Sequence, residues 1–308
     1  MIFMVLAFLA CGDEEQSYSF GGKKELVDAS IDYGDSDADV IFDTPMLTIP
    51  PYTEKQHCYF LTYEGPDVAV VAGSGTQNPD FGHHVLPALS KVSAAEYPDG
   101  TLVDCTEQWV DAEPMIEVTE LAGDGSFSFA LPEGLGRRLK SGQRIMVNSH
   151  HINTTDAPIQ VNDRIELYVE STDTIDTFVA PFWHSPPNLY IPIGSQDISH
   201  TCTIRQDLKF LYIMGHMHEH GVKFTVDHHR LDGTTERIYE VEQWDAVYRD
   251  VPPVNYFDDM EFEIKEGESI TTTCSYQNDT DGPLSFPAEM CTTIGIVYPA
   301  EEAFECYE

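Results

Sequence analysis

The chain is 308 residues long and 42% hydrophobic, with 16 Lys+Arg against 53 Asp+Glu and a formal net charge of -37. There is enough apolar material for packed cores, which excludes a wholly disordered chain, and enough length for two ordinary domains or one large β domain. The charge argues against nucleic acid or an anionic lipid surface as partner, since both need basic patches. It reads first as a heavily solvated surface, with an acidic funnel for a cationic substrate as the alternative.

Residues Met1 to Cys11 (MIFMVLAFLAC) form a short apolar run. It is too short to span a bilayer, which takes roughly 20 apolar residues. Its end, Leu9-Ala10-Cys11-Gly12, has the form of a bacterial export signal with a lipoprotein-type cysteine. The expectation is an exported cell-envelope protein, in the periplasm or on the outer surface, lipid-anchored at Cys11. Residues 12–44 then read as a flexible polar tether. Apart from Cys11 the cysteines are Cys58, Cys105, Cys202, Cys274, Cys291 and Cys306. An even set in an exported chain points to disulfides. Spacing does not choose among the pairings, and no C-x-x-C exists to suggest a zinc ribbon or a thioredoxin-like site.

The pattern beyond the tether is β throughout. Val68–Ala72, Arg144–Val147, Arg164–Val169 and Phe210–Ile213 are short, rich in β-branched or aromatic residues, and bounded by turn formers. Lys223–Val226 and Arg237–Val241 alternate. Turn signals recur at Pro98-Asp99-Gly100, Gly123-Asp124-Gly125, Leu231-Asp232-Gly233 and Asp281-Gly282-Pro283. One short helix is predicted near Ala88 to Glu96. The expected architecture is two consecutive antiparallel β-sandwiches of jelly-roll type. They would occupy residues 45–184 and 185–308, divided near Phe182–Asn188, where two prolines end a strand. No internal repeat is readable.

Histidines carry the chemistry. Gly82-His83-His84, His150-His151-Ile152-Asn153, Gly215-His216-Met217-His218 and Glu289-Met290-Cys291 follow in that order. On a strand, His216 and His218 share a face while Met217 points the other way. Adjacent His83 and His84 can meet one metal only at a bulge or strand end, which Gly82 would permit. In the second pair only one of His150 and His151 need be a ligand. Imidazole suits zinc, copper, iron and nickel, whereas a methionine sulfur such as that of Met290 selects cuprous copper. His57, His184, His200, His220, His228 and His229 are weaker candidates; His220 could serve behind His216 and His218, and His228-His229 reads as a solvated strand or turn. There is no H-E-x-x-H, no G-x-S-x-G and no phosphate-cradling glycine loop.

Taken together these segments resemble the copper type II, ascorbate-dependent monooxygenases, the family of dopamine beta-hydroxylase and peptidylglycine alpha-hydroxylating monooxygenase. The resemblance runs over residues about 45 to 306. It is strongest in Leu189-Tyr190-Ile191-Pro192, Gly215-His216-Met217-His218, the segment Gly267 to Asn278, Glu289-Met290-Cys291 and Tyr298-Pro299. The resemblance implies an electron-transfer copper on His83, His84 and His150, and an oxygen-activating copper on His216, His218 and Met290. It also implies the pairs Cys58–Cys105, Cys202–Cys306 and Cys274–Cys291. The implied activity is hydroxylation of a substrate C–H bond with O2, two coppers per chain and ascorbate or another one-electron donor. A non-catalytic copper-binding lipoprotein on the same scaffold is the alternative. His151 stands where the family usually has tyrosine. Met214 and Ile294 stand where the peptidylglycine enzymes hold their peptide with arginine and tyrosine, so the substrate is expected to be another small molecule.

Overall fold

The computed structural model describes residues 38–106, 110–115, 126–249, 252–257, 262–286 and 288–306. The export signal, Cys11 and most of the expected tether lie outside the described residues. The described chain is all-β apart from two 3-10 turns, and its sheets form two sandwich-like halves.

In the first half one sheet runs Val40–Asp43, Arg164–Ser171, Val68–Thr76, Leu135–Leu139 and Thr177–Phe178, with Ser126–Ala130 also on Val68–Thr76. The other runs Leu102–Asp104, Thr53–Thr62, Arg144–Asn153, Gly82–Ser90 and Ala112–Pro114. Period-2 alternation explains the core. Ile145 and Val147 point between the sheets, with Val70, Val85, Leu139, Ile165 and Leu167, while Met146 points outward with Phe60 and Ala88. In the second half a sheet of Val254–Tyr256, Leu208–His216, Thr292–Tyr298, Ala180–His184 and Phe304–Cys306 faces one of Gly194–Thr203, Ser269–Asn278, Gly221–His229 and Thr235–Val241. Their shared core is rich in rings, among them Phe182, Phe210, Phe224, Tyr239 and Trp244.

Several expectations are corrected. Residues 88–96 form no helix: Gly82–Ser90 is a strand paired with Arg144–Asn153, and turns follow. Two-sided pairing in the middle of a sheet overrides local helix preference. The stretch taken as tether ends early, because Val40–Asp43 pairs antiparallel with Arg164–Leu167. The change of sheet comes at Val179, before the expected division, since Ala180–His184 already pairs within the second half.

The halves are joined by both apolar and ionic contacts. Leu135 and Val179 pack with Leu211, Ile296 and Tyr298. Arg137, fully buried, is ion-paired with Glu113 and donates to the carbonyls of Val179 (3.3 Å) and Glu301 (2.6 Å). The same Glu113 carboxylate accepts from the backbone N–H of Ala303 at 2.9 Å.

The structure also shows a repeat that the sequence conceals. Buried Asn153 donates to the carbonyls of Ile49, Pro50 and Ala157, and its Oδ1 accepts from the N–H and hydroxyl of Thr155. Buried Asn278 donates to the carbonyls of Ile191, Pro192 and Gly282, and accepts likewise from Thr280. The two turns are alike in chemistry: an Asn-x-Thr-Asp segment pinned to an Ile-Pro pair in each half.

Candidate metal centres

Strands Gly82–Ser90 and Arg144–Asn153 build the first centre. His84 lies opposite His150, and Gly82 lies opposite His151, so His83 is the extra residue of a bulge. That irregularity brings adjacent His83 and His84 to one place. Alternation then separates the other pair. His150 shares the outward face of Met146 and Asn148. His151 points inward, fully buried, with Nε2 3.1 Å from the carboxylate of fully buried Asp163. Of the two, it is His150 that joins the other pair: ligand atoms of His83, His84 and His150 lie within 4.8 Å of one another.

Hydrogen bonds fix the tautomers. His150 Nε2 lies 2.8 Å from Glu54 Oε1. A carboxylate only accepts, so Nε2 carries a proton, and in the neutral ring Nδ1 keeps its lone pair. His84 Nε2 lies 3.1 Å from Asn148 Oδ1. The amide nitrogen of Asn148 faces Gln56 Oε1 and the sulfurs of Cys58 and Cys105, so its oxygen is the end that meets His84. His84 Nδ1 therefore also bears a lone pair. These two Nδ1 atoms face each other at 3.4 Å, and His83 Nδ1 is 3.1 Å from that of His84. Facing lone pairs repel unless a proton or a metal ion lies between them. A metal with bonds of about 2.0–2.1 Å to imidazole nitrogen separates its nitrogens by about 3.3–3.6 Å at tetrahedral or trigonal angles. The cluster therefore fits a metal ion, and Glu54 and Asn148 orient two of its ligands.

The second candidate set lies at the end of strand Leu208–His216. His216 and His218 have ring centroids 5.2 Å apart, and Met217 between them is fully buried in the core. The alternation expected of H-x-H is present, although the strand ends at His216. His218 Nδ1 lies 3.1 Å from the carbonyl of Ala288; a carbonyl only accepts, so the lone pair of His218 is on Nε2. Met290 is half-buried on the loop before strand Thr292–Tyr298. The fully buried carboxylate of Glu289 ties these pieces together. It accepts from the backbone N–H of His218 (2.9 Å), His220 (2.7 Å) and Met290 (3.2 Å). Tyr276 donates its hydroxyl to the Met290 carbonyl, and burial pushes its pKa up, so it stays a neutral donor. Two imidazoles and a thioether, if brought to one metal, are a ligand set suited to a soft, redox-active ion.

Reading by residue type missed Glu54, Asn148, Tyr276 and the role of Glu289. Asn148 was findable, two residues before His150 and so on the same face, and Glu289 adjoins Met290. Glu54 gave no signal, because its strand lies far from His150 in sequence.

Two of the weaker histidine candidates are interior. His184 and His200 have ring centroids 4.2 Å apart; His184 Nδ1 lies 2.9 Å from Thr272 Oγ1 and His200 Nε2 3.3 Å from the His184 carbonyl. Burial, with His200 adding to it, lowers the His184 pKa to about 3, and burial lowers that of His200 to about 4 against the pull of its bond to the His184 carbonyl. The unfolded chain takes up these protons near pH 6.5, so it binds more protons than the folded state below that pH. Stability is full above about pH 6.5 and falls as the pH drops towards 4, by up to about 1.4 kcal/mol per pH unit for each histidine. Urea midpoints are expected to decrease from pH 7.5 to pH 5, and a flat profile would contradict this burial. His228 is likewise not solvated: it is fully buried, with Nε2 2.8 Å from Glu268.

Three disulfides close the frame, Cys58–Cys105, Cys202–Cys306 and Cys274–Cys291. These are the pairs the resemblance implies, and they point to an oxidising, extracytoplasmic compartment.

The fold and these centres define a protein of two β-sandwiches with a three-histidine cluster that could hold a metal ion in one and a His-x-His and methionine set in the other. Residues 184–308 match the family model described as copper type II ascorbate-dependent monooxygenase, C-terminal domain. No curated protein matches the sequence significantly. Among solved structures the chain is similar to the major capsid protein P2 of bacteriophage PM2, at 10% identity over 83% of this chain and 97% of that one, with a TM-score of 0.35. It is also similar to a chain of the triple jelly roll fold and turret assembly of an archaeal virus, at 10% identity over 85% of this chain and 61% of that one, with a TM-score of 0.21.

Proposed function

We propose that the chain is an exported dicopper monooxygenase that hydroxylates a C–H bond of a small molecule. The observation that carries this reading is the convergence of His83, His84 and His150 in the half of the chain outside the family match. Copper on that cluster, and a second copper on His216, His218 and Met290, would supply one-electron redox chemistry and the activation of O2, with electrons from ascorbate or an equivalent donor. The chain's own residues prepare both places. Glu54 and Asn148 hold the protons of His150 and His84 on Nε2, Ala288 holds that of His218 on Nδ1, and Glu289 sets the approach of the Met290 loop to His218. The soft sulfur of Met290 favours the cuprous state.

Met214 and Ile294 support a substrate other than a peptidylglycine. They are register partners on neighbouring strands, both buried, two residues from His216 and Thr292 respectively. Neither offers a charge or a hydroxyl to a substrate carboxylate. Attachment of the exported protein to a membrane through Cys11 is part of the same proposal.

Copper counting tests the reading. The oxidised protein, loaded and desalted, is expected to hold two coppers per chain, falling to one in His150→Ala and to one in His218→Ala. Zero or one copper in the wild type would remove the two-copper function. Oxygen uptake with ascorbate across a substrate panel then separates an enzyme from a copper-binding protein.

A further inference from the structure

Directly behind the first centre the interior of the sandwich is polar. Ser149 and His151 point inward from the strand that presents His150 outward, and both are buried. His57 pairs with Ser149 in register, and its Nδ1 is buried on the same face. Burial lowers the His57 pKa, and Asp104, His151, Lys55 and Asp163 are all close enough to act on it. Fully buried Asp163 meets His151 Nε2 through Oδ1, while its backbone N–H donates to Thr44 Oγ1 at 2.9 Å. Gln77, also buried, donates from its amide nitrogen to the His150 carbonyl at 3.5 Å. A Cβ on Gly82, the register partner of His151, would lie 3.0 Å from Gln77 Oε1.

Five polar atoms of this group have no partner among the described residues: His57 Nδ1, Gln77 Oε1, Ser149 Oγ, His151 Nδ1 and Asp163 Oδ2. Orphaned buried polar atoms are rare in native proteins, so a group of them round one strand end marks a bound species. Its chemistry follows from the count of hydrogens. Asp163 Oδ2 and Gln77 Oε1 only accept, and so does His151 Nδ1 in a neutral ring whose proton faces Asp163. Ser149 Oγ and His57 Nδ1 take either part. What is lacking is donors. A calcium-type cage needs about six to eight oxygens, and the orphaned atoms include only those of Gln77, Ser149 and Asp163. Water brings two hydrogens and two lone pairs, and at about three bonds per buried molecule about two waters satisfy the group. We infer that Gln77, Ser149, His151 and Asp163, bounded on one side by His57, form a binding site for ordered water behind the first centre. Its bonds complete the inward face of the strand at His151, which holds the register that turns His150 outward. The site does not depend on what the three histidines of the centre hold.

A crystal structure of the full chain, at a resolution that shows ordered solvent, tests this. Solvent peaks are expected at about 2.7–3.2 Å from Asp163 Oδ2, Ser149 Oγ and Gln77 Oε1. A dry interior overturns the inference. So does a peak with anomalous signal and contacts of about 2.0–2.6 Å, which is a metal ion. In solution, magnetic relaxation dispersion of water oxygen counts the molecules held for longer than the protein takes to tumble. Ser149→Val puts methyl groups where the hydroxyl stands and is expected to lose at least one such water, while Ser149→Thr keeps the wild-type count. Equal counts in Ser149→Val and the wild type overturn the inference. Should Ser149→Val fail to fold, the solvent density of the wild type decides.

Discussion

Glu289→Ala is expected to weaken copper strongly at the proposed His216–His218–Met290 site while leaving the His83–His84–His150 site loaded. The carboxylate is fully buried and accepts three backbone N–H groups, those of His218, His220 and Met290. Each orphaned donor costs about 1–3 kcal/mol, and all three lie on the two loops that must meet for His218 and Met290 to share a metal. Loss of groups that orient ligands typically lowers metal affinity by about 10–100-fold; with both loops released at once the upper end is expected. Glu289→Gln is the informative companion. Its amide oxygen still accepts but its nitrogen cannot, so at least one N–H is stranded and the loss should be intermediate. Copper titration of both variants, with the His83–His84–His150 site as internal control, checks the ranking. Unchanged affinity in Glu289→Ala would show that the loops do not depend on this carboxylate.

The second large effect is on stability. Cys202 lies on strand Gly194–Thr203 and Cys306 on strand Phe304–Cys306, which belong to opposite sheets of the second half. Their disulfide closes a separation of 104 residues. A loop near 100 residues corresponds to about 4–5 kcal/mol of lost entropy in the unfolded chain. The Cys202→Ala, Cys306→Ala double variant is therefore expected to lose about 4 kcal/mol in urea denaturation. The Cys274–Cys291 bond spans only 17 residues, and its removal should cost about 3 kcal/mol by the same reasoning. That second loss should come with weakened copper at Met290, which adjoins Cys291. A reversed order of the two losses would mean that strain or local packing, not loop closure, dominates.

The β class was legible because short runs of β-branched and aromatic residues alternate with strong turn formers, and both signals are local. The His216–His218 relation was legible for the same reason, since strand alternation needs no partner. The first centre was only half legible. That His83 and His84 converge depends on a bulge whose register is set by strand Arg144–Asn153, some sixty residues away. The choice of His150 over His151 depends on which face of that strand is packed, and the inward side chain is held by Asp163 rather than by any neighbour in sequence. Ala88 misled because its run, read alone, suits a helix; pairing on both sides decides otherwise. Strand Val40–Asp43 went unseen because its acidic surroundings look like tether until Arg164–Ser171 is beside it.

The twin asparagine turns carry a historical consequence. If Asn153 and Asn278 mark equivalent points of one ancestral sandwich, His150 corresponds to Ser275 and His151 to Tyr276, neither of them a candidate ligand. The first centre grew on the sheet that contains Arg144–Asn153, whereas His216 and Met290 flank strands of the other sheet of the second half. On that correspondence the two halves share the turn and its fasteners, while the candidate ligands of each half lie outside the shared element and differ in kind.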